Sequence, residues 1–163
     1  LGQLMWAAQG CTTESCFRTA PSAGGLIPLE VVVVTGKGSV EGLDAGAYIH
    51  RRVPHTLELL EEGDHRKELA KRALGQGFIA DAPITIVVTG DVSRTAVKYG
   101  TRAERYVHME VGHVGQNVAL QAEALGLGTT TVGAFDDEKV RDLLSLPAGL
   151  EVYYLLPVGK PLD

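Results

Sequence analysis

The chain has 163 residues, 45% of them hydrophobic and 21% charged, a size and balance that fit one globular domain and exclude wholesale disorder. Its formal net charge of −5, with Lys and Arg interspersed among carboxylates, argues against a nucleic-acid partner. No apolar run approaches the roughly 20 residues of a membrane span.

Leu1–Gln9 places Leu1, Leu4, Met5 and Ala8 on one face of a short helix, with Gly10 as its stop. The chain starts at Leu1 rather than Met, as a fragment or a processed form does. Cys11 to Pro28 is a long Gly/Ser/Thr/Pro-rich connection, and a loop of that length in a compact domain usually serves binding. Its cysteines, Cys11 and Cys16, have neither redox Cys-x-x-Cys nor zinc spacing and read as two free thiols of a cytoplasmic protein, with a local disulfide as the alternative.

Glu30–Thr35 is β-branched without polar alternation, the signature of a strand buried on both faces. Ala47–Arg52 and Thr56–Leu60 alternate as a hairpin across Val53-Pro54-His55. Asp64 caps a helix running to Leu74, with Leu69, Ala70, Ala73 and Leu74 inward and Gly75 at its end. Ile84–Thr89 is a second buried strand, followed by a short helix or turn holding Arg94 and Lys98. From Arg102 to Leu125, Val107, Val111, Val114, Val118, Ala122 and Leu125 repeat at helical spacing, while Glu110, His113, Asn117 and Gln121 form a polar stripe. Thr129–Ala134 reads as a strand, Asp136–Leu144 as a helix and Glu151–Val158 as the last strand. Helices and strands without regular alternation predict a single α+β domain over residues 1–163 with a mainly antiparallel sheet.

Two stretches, Pro21–Gly25 and Gly126–Phe135, combine small residues with hydroxyls and free N–H groups, as a backbone that lies against a flat polar ligand does. Taken alone, the first reads equally as a plain turn and the second as a tight helix–strand junction. The spacing of His108, Glu110 and His113 lacks the helical zinc signature, so no metal site is expected. Gly126-Leu127-Gly128 follows a helix, not a strand, and is no dinucleotide fingerprint.

Arg18-Thr-Ala-Pro-Ser-Ala-Gly-Gly-Leu-Ile-Pro-Leu-Glu leading into Val31–Val34, together with Lys98-Tyr99-Gly100, Glu110-Val111-Gly112-His113, Gln116-Asn117 and Leu156-Pro157-Val158-Gly159-Lys160-Pro161, resembles the SagB-type branch of the nitroreductase family. The resemblance implies a nitroreductase-like sheet wrapped by helices, an intertwined homodimer, and two FMN molecules at the interface. It also implies that one protomer lends the Pro21, Ser22, Ala23, Gly24 turn to its partner's site, and that Thr131, Val132, Gly133 and Ala134 line the flavin, with main-chain N–H groups of the last three beside its N5 and O4. Thr131 stands where many relatives have proline, and Ala134 where many have glycine. The Arg-Arg-Ser-like phosphate segment of the family is absent, which leaves Arg18, Arg105 and Lys160 as phosphate candidates. Lys98 and Tyr99 match a pair implicated in proton abstraction, a role that requires burial or a nearby cation to lower the lysine pKa. Otherwise Lys98 is solvated and Tyr99 packs.

The function implied is an FMN-dependent oxidoreductase that passes a hydride between NAD(P)H, bound transiently over the flavin, or an organic donor and a nitroaromatic, quinone or azoline-type small molecule. The alternative is a flavin-binding or structural homodimer without turnover.

Overall fold

The computed structural model describes residues 1–161. In chain order the elements are α1 (Gly2–Gln9), β1 (Leu29–Thr35), β2 (Gly46–Arg51), β3 (Thr56–Glu62), α2 (Arg66–Arg72), α3 (Gly77–Asp81), β4 (Ile84–Gly90), α4 (Val92–Tyr99), α5 (Ala103–Ala124), β5 (Gly128–Thr129), α6 (Asp137–Leu143) and β6 (Glu151–Gly159). The strands form one sheet in the order β3-β2-β1-β4-β6-β5, antiparallel at every pairing. None of the helices is long and apolar enough to cross a membrane.

The valine run is explained by its place at the centre. β1 pairs with β4 from Leu29 opposite Gly90 to Thr35 opposite Ile84, and both strands are buried throughout. Side chains alternate across a strand. Val31 and Val33 therefore enter one core with Leu4, Met5 and Ala8 of α1 and Val107, Val111, Val114, Val118 and Ala122 of α5. Val32 and Val34 enter the other, with Leu69 and Ala70 of α2, Ile79 of α3 and Val140 of α6. Helices thus cover both faces.

Asp136 starts α6 as expected, its carboxylate accepting from the Lys139 N–H at 3.2 Å, and Asp91 likewise caps α4, accepting from the Ser93 N–H at 2.9 Å. Four details differ. Residue 64 is not the cap of α2, which starts after His65; the Asp64 carboxylate instead clasps Arg66 through its backbone N–H and guanidinium. Leu74 faces solvent, because the chain leaves α2 with Leu74 in the left-handed region at φ 57° before Gly75 at 78°. The expected strand at Thr129–Ala134 shrinks to the two residues of β5 and a bridge from Val132 to Leu155. Lastly, Cys11 and Cys16 are not free thiols but are joined as a disulfide.

Candidate functional site

The Pro21–Gly25 stretch forms a single tight turn whose Ser22 hydroxyl accepts from the Ile27 N–H at 2.9 Å. Gly24, at φ 62°, rests on the end of α4: a Cβ there would lie 2.9 Å from the Tyr99 hydroxyl and 3.2 Å from Lys98 Nζ. Only glycine meets both the backbone angle and that approach. Tyr99 is held edge-on to Tyr106 with ring centroids 4.9 Å apart. On the α5 side, His113 Nδ1 donates to the Pro21 carbonyl at 3.2 Å. Glu110 lies beneath the turn, 2% exposed, and burial pushes its carboxyl above the usual carboxylate range while Ser22 and the buried Gln9 beside it oppose that shift. Pro21, Ser22, Ala23, Gly24, Lys98 and Tyr99 are therefore one cluster, with the Lys98 side chain exposed in the single protomer.

The second stretch runs antiparallel along β6. Gly128 pairs with Gly159, Thr129 with Val158, and Val132 with Leu155. This pairing corrects one expectation: the Val132 N–H donates to the Leu155 carbonyl at 2.8 Å, so it is not a free donor. Gly133 and Ala134 are exposed, and their N–H groups have no intramolecular acceptor among the described residues. Gln76 Nε2 donates to the Ala134 carbonyl at 2.9 Å and fixes that peptide. The Tyr154 ring lies under Gly133, 3.6 Å from where its Cβ would be, and beside Gly115 of α5 at 3.5 Å; the Thr131 methyl also approaches Gly115 at 3.5 Å. Lys160 follows β6 at the opposite end of this track, roughly 15 Å of extended chain from the residues facing Val132. A cavity of about 540 Å³ opens at the Gly133 end, lined also by Phe135, Arg141, Glu151 and Tyr153.

The three basic candidates are not neighbours. Arg18 sits behind the first turn with Nη1 on both cysteine sulfurs, and its guanidinium pKa is lowered chiefly by burial and then by Arg52. Arg105 lies on the outer face of α5 and Lys160 beyond β6. Glu110, under the first turn, and Gly115, against the second stretch, are five residues apart and so point about 140° apart around α5. The shorter arc between them holds the buried Val107, Val111, Val114 and Val118, and the longer arc, about 220°, holds the exposed face with Arg105, Met109, Gly112, Gln116 and Leu120. The two stretches flank it on opposite sides.

A model of the nitroreductase family matches residues 1–160. A protein of Methanocaldococcus jannaschii named as a putative nitroreductase is 42% identical over 163 residues, all of this chain and 80% of that protein. The chain belongs to the nitroreductase family. The resemblance to the SagB-type branch is supported by the trifolitoxin-processing protein TfxB of Rhizobium leguminosarum, 25% identical over 144 residues, 86% of this chain and 38% of that protein. Another relative, the FMN reductase (NAD(P)H) of Bacillus subtilis, is 28% identical over 122 residues, 66% of this chain and 49% of that protein. Among solved structures, a nitroreductase-type protein of Anabaena variabilis superposes with a TM-score of 0.90 at 29% identity, over 99% of this chain and 34% of that one. The chain thus spans about a third of that nitroreductase-type structure.

Glu110, Gln76 and Tyr154 were not legible as site residues. The first belongs to a polar stripe whose members could equally bond one another or a partner subunit, the second sits between short helices, and the third is one of several aromatic strand residues. A tyrosine facing two glycines is evident only once β6 and α5 are brought together.

Proposed function

We propose that the chain is an FMN-dependent oxidoreductase acting as a homodimer, with each flavin held between the second stretch of one protomer and the Pro21–Gly25 turn of its partner. The observation that carries this reading is the pair of unoccupied N–H donors at Gly133 and Ala134, backed by the Tyr154 ring on one flank of an exposed helix face whose other flank bears the glycine turn. Pairing two copies through that face, where Met109 is 53% and Leu120 62% exposed, buries apolar surface and brings the two stretches together across the two-fold axis.

When bound, FMN supplies hydride transfer between NAD(P)H or an organic donor and an acceptor such as a nitroaromatic, quinone or azoline. The protein's own groups orient and stabilise it. N–H donors at Gly133 and Ala134 favour negative charge developing at the ring edge they face, and Gln76, bonded to the Ala134 carbonyl, anchors the peptide that follows them. Lys160 and Arg105 remain candidates to bind the phosphate; Arg18, turned toward the sulfurs, is a weaker one. The cavity beside Gly133 has the size of a small-molecule site and gives the second substrate access. Lys98 and Tyr99 hold or move a proton beside the turn, and closure by the second copy supplies the burial that exposed Lys98 lacks in one protomer.

The test is the visible spectrum of the purified protein titrated with FMN and then mixed anaerobically with NADPH or NADH. Binding of about one flavin per chain followed by bleaching is expected, and Lys98→Ala should keep the bound flavin while slowing turnover. Protein that stays colourless with excess FMN contradicts the reading. Protein that turns yellow but is not reduced supports the non-catalytic alternative.

A further inference from the structure

The hairpin preceding the glycine turn carries two sulfurs that flavin chemistry does not use. Cys11 and Cys16 are bonded with their Cα atoms 4.4 Å apart, and the four residues between them, Thr12 to Ser15, are exposed. The hairpin has its own order: the Thr12 N–H donates to the Phe17 carbonyl at 2.7 Å, Cys16 to Thr13 at 2.8 Å and Thr19 to Gly10 at 3.1 Å. Cross-linking so short a loop, already hydrogen-bonded, removes little chain entropy. Holding the fold is a poor explanation for the pair.

Arg18 offers a better one. Its Nη1 donates to Cys11 Sγ at 2.9 Å and to Cys16 Sγ at 2.7 Å. Among the described residues its guanidinium has no carboxylate partner, whereas the neighbouring Arg52 and Arg94 both pair with Glu30. A cation at hydrogen-bond distance from both sulfurs stabilises whichever one leaves as a thiolate, and a better leaving group speeds exchange.

We infer that Cys11 and Cys16 form a redox-active dithiol–disulfide site that accepts two electrons from thiol reductants. A reductant thiolate attacks one sulfur, forming a mixed disulfide and breaking the Cys11–Cys16 bond, so that the other sulfur departs as a thiolate against Arg18. The reductant's second thiolate then attacks the mixed disulfide and releases the second cysteine. The reductant is oxidised to its own disulfide and the cysteine pair is reduced; the two thiol protons pass to the cysteines or to solvent. No flavin takes part, so this site stands or falls apart from the proposed oxidoreductase activity.

The full chain is equilibrated in dithiothreitol redox buffers, and free thiols are counted by mass shift after alkylation with iodoacetamide. Reversible interconversion between zero and two alkylated cysteines is expected. Alkylation of the reduced protein should show a pH midpoint at least one unit below the value of about 8.5 for a free thiol. Arg18→Met should raise that midpoint and slow reduction of the disulfide by about tenfold or more, with Arg18→Lys retaining most of both. A wild-type midpoint near that of a free thiol, a pair that never oxidises, or an Arg18→Met protein unchanged in midpoint and rate would each overturn the inference. If circular dichroism shows that Arg18→Met does not fold, the wild-type midpoint decides alone.

Discussion

His50 shows what one buried side chain contributes. It lies on β2, 2% exposed, with Nε2 2.8 Å from His55 Nδ1 and its own Nδ1 without a partner among the described residues. Burial, followed by the nearby His55, Arg52 and Arg18, lowers its pKa to about 4. Between pH 6.5 and 4 the unfolded chain therefore binds a proton that the folded chain refuses, so stability is full above that window and falls as pH drops through it. The loss should be on the order of 3 kcal/mol, measured as the fall in urea-unfolding free energy. His50→Phe should flatten the profile; an equally steep profile in the variant contradicts the assignment. Asp64 does not interfere, since Arg66 holds its carboxyl at about 2 and its contribution is lost only as pH falls below the ordinary aspartate range. Glu110 acts with opposite sign: its raised pKa gives stability that is present in acid and lost as pH rises through its folded value.

α5 is the element on which the site depends, and its two faces separate folding from assembly. Val107, Val111, Val114, Val118 and Ala122 are buried against the sheet, whereas Met109, Gly112, Gln116 and Leu120 face outward. Val114→Ala deletes two buried carbons and should cost about 2 kcal/mol of stability without changing the oligomeric state. Leu120→Asp should leave the helical circular dichroism intact, yet give a monomer by sedimentation that no longer retains FMN. A Leu120→Asp protein that stays dimeric and yellow would place the interface elsewhere. The inner face was legible because its valines recur at helical spacing. The outer face was legible only in part: Met109 and Leu120 fall off the valine stripe and point to a second apolar side, but Arg105, Gly112 and Gln116 among them break the continuity of that signal.

At the scale of the whole molecule, the central strands were legible because a β-branched run without polar alternation is compatible only with burial on both faces, as β1 and β4 prove to be. What could not be read was the pairing partner of each short segment. Val132 resembled a flavin donor until its N–H was found bonded to Leu155, a residue far along the chain, and Leu74 looked internal until its backbone turned left-handed. The contact between Gly24 and Lys98-Tyr99 was not legible either, because two motifs more than seventy residues apart meet only when the glycine turn rests on the end of α4. The central claim, a flavin crevice shared by two copies, is tested most directly by complementation. Gly24→Val disables the turn, since any Cβ there collides with Tyr99, and Gly133→Pro removes a donor from the second stretch. Each variant alone should lose FMN. Mixed dimers of the two contain one intact crevice, made of the unaltered turn from one chain and the unaltered second stretch from the other, and should regain one flavin per two chains. If mixing restores none while each variant remains folded and dimeric, the site is built within a single chain and the account is wrong.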